Sequence, residues 1–497
     1  MLPSNVQSRI CSVLCLALIA ITFPIALTFT IGVYLLASYR NTLTGTAKPL
    51  LDSDGKVVTV LVNGGRMNKS LTVARAMSKV GARVILVEEK GWGDFCATKF
   101  SSSVSKFRFL PKTSSPSGKE AYVQALAQIA QEEGCTWFIP CSGAHTTVED
   151  AKAAEIMKAN IRNFHAIIQS PKLAKTLHEK DLFMDLVNSL GGLLAPTSHT
   201  VYSVSDALEV IKVAHQPLIL KFSDAGDDTG RSDLTTYPLT GDDEQLSKTR
   251  ERLEGLHIPI GKETPYALQQ FVGSGTEWCT HASVVDGKLV AFVCCPSSDM
   301  LMTYHDATYS EVGRKAEQYT QSLVAKLNES SDYAFQKPIS GPFSLDFILA
   351  SNQEDLYVIE CNPRIHTAAL LLPSVDFARA LLGQLKDDEI IRPLPDTAPR
   401  SWAAHDIPSR ILPFLLPQSV RSKLHPLLEV SPFPKALQGQ TEPQDQCWFW
   451  RDPNFDADDP MPFVGMMLQV SALLAWKLTT GTGWSRLNVS TARVFEC

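Results

Sequence analysis

The apolar and polar positions change rhythm along the chain, and the first rhythm is unbroken apolarity. From Ile10 to Tyr39 no residue is charged, and Arg9 and Arg40 bracket the run. It exceeds the roughly 20 residues that a helix needs to cross a bilayer. It is also too long for a signal-peptide core, and no small-residue cleavage site follows cleanly. The run therefore reads as a retained membrane anchor. Pro24 lies within it, so a kinked span and a re-entrant hairpin both remain open. The flanking charges are balanced and do not fix its orientation.

After a polar linker, Asn41 to Lys56, the pattern becomes that of a βαβ unit. Val57-Val-Thr-Val-Leu-Val is a buried strand that breaks at Gly64-Gly65, and Val73, Met77 and Val80 share one face of the helix that follows. Arg83-Val-Ile-Leu-Val-Glu is a second strand, which predicts a parallel sheet. A helix from Ala121 to Glu133 and a strand at Trp137-Phe-Ile-Pro extend it. Past residue 165 the rhythm shifts. His178-Glu-Lys-Asp-Leu opens a predicted helix to Leu190, and Pro217-Leu-Ile-Leu-Lys221 is a short strand ending in a lysine. A Gly- and Asp-rich loop, Asp224 to Gly230, comes next. Tyr266 to Val272 is a strand, and a loop at Gly273-Ser-Gly275 leads to a strand pair around Trp278–Ser283 and Leu289–Cys295, joined at Asp286-Gly287. Beyond residue 385 a Pro-rich region precedes Gln446-Cys-Trp-Phe-Trp. The apolar run Phe463 to Leu478 contains Gln469 and Lys477, which favours a packed or interfacial helix over a second span.

Composition narrows the function classes. Hydrophobic residues make up 44% and charged residues 20%, the profile of a globular chain. A net charge of −6 without a basic run argues against nucleic-acid binding. The 11 cysteines form no CxxC pair and no zinc spacing, so free thiols in a reducing compartment are expected. Cys294-Cys295 reads as two half-buried strand cysteines. The first βα turn is Asn-Gly-Gly-Arg-Met-Asn and lacks GxGxxG, which leaves a nicotinamide or flavin site unsupported. The sequons at Asn328 and Asn488 are triplets of a kind that arises often by chance.

The richest chemistry lies between residues 343 and 364. Phe343-Ser-Leu-Asp-Phe-Ile-Leu and Leu356-Tyr-Val-Ile-Glu-Cys-Asn flank a polar break with the composition of a hairpin turn. A turn centred on Gln353 sets Asp346 opposite Glu360, with Asn362 on the same face, while Phe343, Leu345, Phe347, Tyr357 and Ile359 point the other way. Like charges opposed on paired strands are destabilising, so a cation between them is expected. Two carboxylates and an amide oxygen suit Mg²⁺ (or Mn²⁺), completed by water and nucleotide phosphates. Arg364 stands where it can hold an anion beside the metal. A surface hairpin with solvated carboxylates is the alternative.

Taken in order, these elements resemble the ATP-grasp ligases, and most nearly the mycosporine-glycine synthase type. The likeness is carried by Gly-Gly-Arg-Met-Asn-Lys, Arg-Val-Ile-Leu-Val-Glu, Glu-Trp-Cys-Thr-His (277–281) and Ile-Glu-Cys-Asn-Pro-Arg-Ile-His (359–366). It runs from about residue 57 to 385. The resemblance implies an α/β fold, with a βαβ pre-ATP-grasp domain at 50–165 and a two-lobed ATP-grasp domain at 166–385 with a lid lobe near 195–275; the membrane anchor at 1–45 and a C-terminal extension at 386–497 are additions to that body.

Roles follow from the same resemblance. Lys180 and Lys221 would neutralise ATP phosphates. Gln270, Phe271 and Val272 would form the adenine hinge, and Glu277 would hold ribose. Asp346, Glu360 and Asn362 would bind Mg²⁺, and Arg364, with Lys221, would stabilise the phosphorylated intermediate. His281 and His366 would contact substrate or shuttle a proton, and Arg66 and Asn68 would face the acceptor. The three aspartates of the Asp224–Gly230 loop depart from a phosphate cover. The implied reaction is ATP-dependent C–N bond formation between a small-molecule acceptor and an amino acid, with the catalytic body facing the cytosol. Other carboxylate–amine substrates, or a membrane-bound nucleotide scaffold without turnover, are the alternatives.

Overall fold

The computed structural model describes residues 4–44, 48–222, 235–239, 246–273, 275–297, 303–330, 335, 337–352, 354–386, 388–403, 415–420, 452–480, 485–488 and 493–496. The Asp224–Gly230 loop, Ser274, Gln353 and Gln446–Arg451 lie outside these residues. The chain has the expected α/β architecture, a parallel domain followed, among the described residues, by two four-stranded antiparallel sheets and two short strand pairs.

Helix α1 (Ser4–Thr44) runs unbroken through Pro24, so the re-entrant hairpin is not adopted. The parallel domain follows, with β1 (Thr59–Val62), α2 (Asn68–Lys79), β2 (Arg83–Glu89), β3 (Lys106–Leu110), α3 (Pro116–Glu132), β4 (Trp137–Ile139), α4 (Thr147–Asn160) and β5 (His165–Ala166). Its strand order is β3-β2-β1-β4-β5. β1 is fully buried, as expected of a parallel strand covered on both faces. Leu61, Ile85, Val87 and Phe138 pack under α3 and α4. Val60, Val62, Val84 and Leu86 pack on the other side with Val73 and Met77 of α2.

The predicted helix from His178 to Leu190 is two helices, α5 (Pro171–His178) and α6 (Lys180–Leu190). Glu179 separates them because its backbone is extended, with φ −79° and ψ 125°, which makes Lys180 the first residue of α6. A small antiparallel lobe contains β6 (Ser198–Val201), α7 (Val204–Val213), β7 (Leu218–Phe222), β8 (Thr236–Tyr237), α8 (Ser247–Glu254) and β9 (Tyr266–Gln270), with strand order β6-β9-β7-β8.

The central sheet is built from β10 (Thr276–Val285), β11 (Lys288–Pro296), β13 (Gly341–Leu349) and β14 (Leu356–Asn362), ordered β11-β10-β13-β14. Between β11 and β13 come the short β12 (Thr303–Tyr304) and α9 (Glu311–Glu329). One face of the sheet packs on α5, α6 and α9. The other meets α10 (Ser374–Leu381) and the short turn Thr367–Leu371, which join it to the parallel domain in one core. Cys294 belongs to the first core and Cys295 to the second, so both are fully buried rather than half-buried. Alternation sends neighbours to opposite faces, and here both faces are covered. Cys96, Cys135, Cys141, Cys279 and Cys361 are likewise buried free thiols. Asn328 donates to the Gly287 carbonyl and accepts from the Ile339 N–H, so that sequon asparagine is part of the packing.

The C-terminal region returns to the parallel domain. β15 (Arg400–Ser401) pairs with β12. Helix α11 (Met461–Thr480) packs on the short 3₁₀ turns Trp92–Phe95 and Ala97–Phe100, and on α1. Two strands, β16 (Ser485–Asn488) and β17 (Arg493–Glu496), form a terminal hairpin. A Cβ at Gly465 would come 2.6 Å from the Phe100 ring and 3.1 Å from the Ala97 backbone, so only glycine allows α11 this approach. Cys15 and Ile19 of α1 pack with Val470 and Leu474, whereas Ala26 and Val33 pack with Phe463 and Met467. The two helices are therefore antiparallel. Arg40 pairs with Asp458 at the end of this contact. Both Ser12–Arg40 and Met461–Thr480 are long and apolar enough to cross a membrane.

Candidate active site

Three strands bring the polar cluster together. Asp346 pairs with Glu360 and Ser344 with Asn362, as the alternation predicts. The turn that makes this possible is capped by Asn352, whose Oδ1 accepts from the N–H groups of Glu354 and Asp355 at 3.0 and 3.2 Å. Register shifts by one between Asp346 and Phe347, because Ile359 is an extra residue in β14. The bulge corrects one expectation: Leu356, Val358 and Cys361, not Tyr357 and Ile359, enter the core behind the cluster. On β10, Cys279 stands beside Asp346.

Around these carboxylates the charges alternate. Lys180 Nζ lies 3.7 Å from Glu360 Oε2. Asn362 is buried, donates through Nδ2 to Asp346 Oδ2 at 3.2 Å, and accepts from Arg364 Nη2. Ser344 Oγ donates to the Arg364 carbonyl at 2.9 Å and holds that residue beyond the strand end. Burial, then the charges of Asp346 and Glu360, push the Cys361 thiol well above the ordinary thiol range. Among the described residues no trio of His, Cys, Asp and Glu converges on a point. Two adjacent carboxylates and an amide oxygen fit a hard divalent cation that shares its shell with phosphate oxygens, rather than one held by protein alone.

The remaining predicted residues are spread more widely. Lys221 lies on β7 in the small lobe, opposite Ala267. The Gln270 and Phe271 N–H groups donate to the Thr197 and Pro217 carbonyls at 2.8 Å each. The Gln270 side chain bonds to Gln216 and accepts from the Thr197 N–H. Phe271 is exposed and Val272 half-buried, and Glu277 is an exposed residue of β10.

Two expectations are corrected by burial. His281 is enclosed, with Nε2 2.9 Å from Ser283 Oγ and Nδ1 accepting from the His366 N–H at 3.4 Å. His366 Nδ1 accepts from the Ala368 N–H and caps a 3₁₀ turn. Burial first, then nearby positive charge, lowers both imidazoles to about 3, a shift that favours their neutral forms; His366 itself is half-buried. Asn68 is 2% exposed, donates to Asn454 Oδ1 at 2.7 Å and accepts from Trp402 Nε1 at 2.7 Å. Its amide fastens the C-terminal region and is not turned to a substrate.

Arg66 does face an opening. The cleft at the carboxyl edge of the parallel sheet is lined by Gly64, Arg66, Glu88, Glu89, Ser142 and His145, with others. Sequence reasoning missed Glu89 and His145. The available signal was their position at the end of β2 and in the turn that follows β4, at the sheet edge where open parallel sheets receive ligands.

No family model matches the sequence, and no curated protein matches it. Among solved structures, the chain is similar to N5-carboxyaminoimidazole synthetase from Staphylococcus aureus complexed with ADP, at 15% identity and TM-score 0.49, covering 71% of this chain and 82% of that one. It is similar to biotin carboxylase from Campylobacter jejuni in a βγ-ATP complex, at 14% identity and TM-score 0.48, covering 67% and 73%. It is also similar to L-amino acid ligase from Bacillus licheniformis, at 15% identity and TM-score 0.47, covering 68% and 78%.

Proposed function

We propose that this chain is an ATP-dependent ligase of the ATP-grasp type that joins an amino acid to an activated oxygen of a small acceptor. The observation that carries the reading is the β13–β14 hairpin. It sets Asp346 against Glu360 in register and flanks them with Lys180 and Arg364. A protein gains nothing in stability by opposing two carboxylates, whereas phosphoryl transfer needs this distribution of charge.

Asp346, Glu360 and Asn362 would hold Mg²⁺, which when bound offsets charge on the nucleotide phosphates. Lys180, at the positive end of α6, and Lys221, on the opposing lobe, would receive those phosphates as point charges. Val272, next to the two committed N–H groups of the hinge, would present its backbone to the base edge, and Glu277 the ribose contact. The acceptor's carboxylate or enolate oxygen attacks the terminal phosphorus, and ADP leaves. Arg364 holds the transferred phosphoryl group. The amine then attacks the activated carbon, the C–O bond breaks, and phosphate departs with the electron pair. The site supplies position and charge rather than a covalent intermediate.

The substrate pair closest to the sequence resemblance is a cyclohexenone acceptor with an amino acid such as glycine, as in specialised metabolism. Residues 50–165 would form the pre-ATP-grasp domain and 166–385 the ATP-grasp domain, with α1 as a single-pass anchor leaving the body in the cytosol. Its exposed Ile21, Ile25, Leu35 and Leu36 support membrane attachment. Its packing along α11 supports a second arrangement, a helix lying in the membrane surface. The testing experiment is phosphate release from ATP and Mg²⁺ with candidate acceptors and a panel of amino acids. Release that needs both substrates and disappears in Glu360→Ala is expected; release independent of both, or unaffected by the substitution, defeats the proposal.

A further inference from the structure

The hairpin cluster stands on two adjacent rows of side chains that cross β10, β13 and β14. Cys279, Asp346 and Glu360 form the first row. The pairs Cys279–Asp346 and Ala282–Phe343 bracket His281 and set it opposite Ser344, which in turn pairs with Asn362. This second row lies two residues along each strand, so it shares the face of the first. The reaction proposed above uses Asp346, Glu360 and Asn362 but neither His281 nor Ser344, and both of these are fully buried.

Their partners are the backbone that carries Arg364. Pro363 fixes one dihedral angle just beyond β14, and the Arg364 N–H donates to the Asn362 carbonyl at 2.7 Å. Ser344 Oγ donates to the Arg364 carbonyl at 2.9 Å. Ile365 is in the core, and the His366 N–H donates to His281 Nδ1 at 3.4 Å.

These contacts settle the state of the His281 ring. A backbone N–H can only donate, so Nδ1 is the acceptor and the imidazole proton sits on Nε2, which faces Ser283 Oγ at 2.9 Å. Burial first, then the neighbouring His366 and Lys69, disfavours the charged ring, which could not accept. The ring also meets Phe377 of α10 edge to face, with centroids 5.9 Å apart.

Arg364 reaches back to the cluster on a long side chain, and its Nη2 donates to Asn362 Oδ1. A guanidinium at the end of so many rotatable bonds is placed no better than the backbone that bears it. We propose that Ser344 and His281 are positioning residues for Arg364: they anchor its carbonyl and the N–H two residues on, and so aim the guanidinium at the transferred phosphoryl group. The proposal rests on the ligase reading, which gives Arg364 that anion. A displacement of about 1 Å costs up to about 10²-fold. The Ser344 bond is the shorter of the two, so Ser344 carries the larger share.

The test follows inorganic phosphate binding, by calorimetry, to the full chain loaded with ADP and Mg²⁺, with ADP affinity measured alongside. Arg364→Met and Ser344→Ala are each expected to weaken phosphate about tenfold and His281→Leu about threefold, with ADP affinity kept within about twofold. In the Arg364→Met background neither further substitution should matter, because the group they position is gone. His281→Asn, whose amide oxygen stands where Nδ1 does, should recover most of the His281→Leu loss, which general damage to the fold would not allow. That pair of variants decides the matter even where Ser344→Ala does not fold. If Arg364→Met weakens phosphate while the other substitutions do not, or if their losses multiply in the double variants, the positioning role is wrong and the ligase reading stands. Phosphate binding that is absent, or indifferent to Arg364→Met, removes the role of Arg364 and this proposal with it. A parent that binds no ADP overturns both.

Discussion

Replacing Arg75 by methionine should loosen the C-terminal region from the parallel domain. Arg75 is 7% exposed and Asp459 5%. The guanidinium donates to Asp459 Oδ2 at 2.8 Å, to the Pro453 carbonyl at 2.6 Å, and to the Asn454 and Asp459 carbonyls at 3.0 and 2.7 Å. Methionine fills much of the volume but leaves a buried carboxylate without its cation. Removing one partner of a buried ion pair costs about 3–5 kcal/mol. Asp459 keeps Ser101 Oγ at 2.6 Å, the Ser102 N–H at 2.8 Å and Ser102 Oγ at 3.1 Å, which argues for the lower end. A cost of about 3 kcal/mol raises local opening roughly 10²-fold. Hydrogen exchange followed by mass spectrometry reads this directly: amides of 452–463 and of 101–103 should lose protection, while β10 and β13 keep theirs. Adding Asp459→Asn should restore part of it, since the stranded charge is then gone. A change under threefold, or one spread evenly over the chain, would refute the argument.

Asp150 gives a pH signature. Burial outweighs its three hydrogen bonds and raises its carboxyl from 3.8 to about 6. The folded state then holds the proton more tightly than the unfolded chain, so this contribution is complete below about pH 4 and is lost as pH rises through about 6. The loss is about 3 kcal/mol. Urea titrations of Asp150→Asn across that window should lack this fall, and a slope equal to the parent's would contradict the assignment. Trp402→Phe should cost about 1–3 kcal/mol in the same titrations, because Asn68 Oδ1 loses its 2.7 Å donor in a buried place; a cost near zero would mean that Asn68 finds another partner.

Much of this was legible in the sequence, because period-2 alternation and turn composition are local. Asp346, Glu360 and Asn362 could be placed on one face from a polar break and two alternating runs. The Ile359 bulge could not, since nothing in Val-Ile-Glu marks which residue goes unpaired; the core behind the site therefore changed membership while the site kept its own. Asn68 was misread because it follows a glycine turn, the usual place of ligand contacts. Its true partners, Trp402 and Asn454, are 334 and 386 residues away. Glu89 and His145 are 56 residues apart and meet only because β2 and β4 end at the same edge of the sheet, on either side of β1. His281 read as a substrate contact or proton carrier until its enclosure was visible, and burial is a property of the whole packing rather than of any motif.

The central claim is that the β13–β14 hairpin holds a metal–nucleotide pair. Calorimetric titration of the full chain with ATP, with and without Mg²⁺, tests it most directly when repeated on Glu360→Ala and Lys221→Ala. The account predicts that the parent binds ATP more tightly with Mg²⁺, that Glu360→Ala loses this metal dependence, and that Lys221→Ala weakens binding in either condition. ATP affinity indifferent to Mg²⁺ and to both substitutions, or no ATP binding at all, would contradict it.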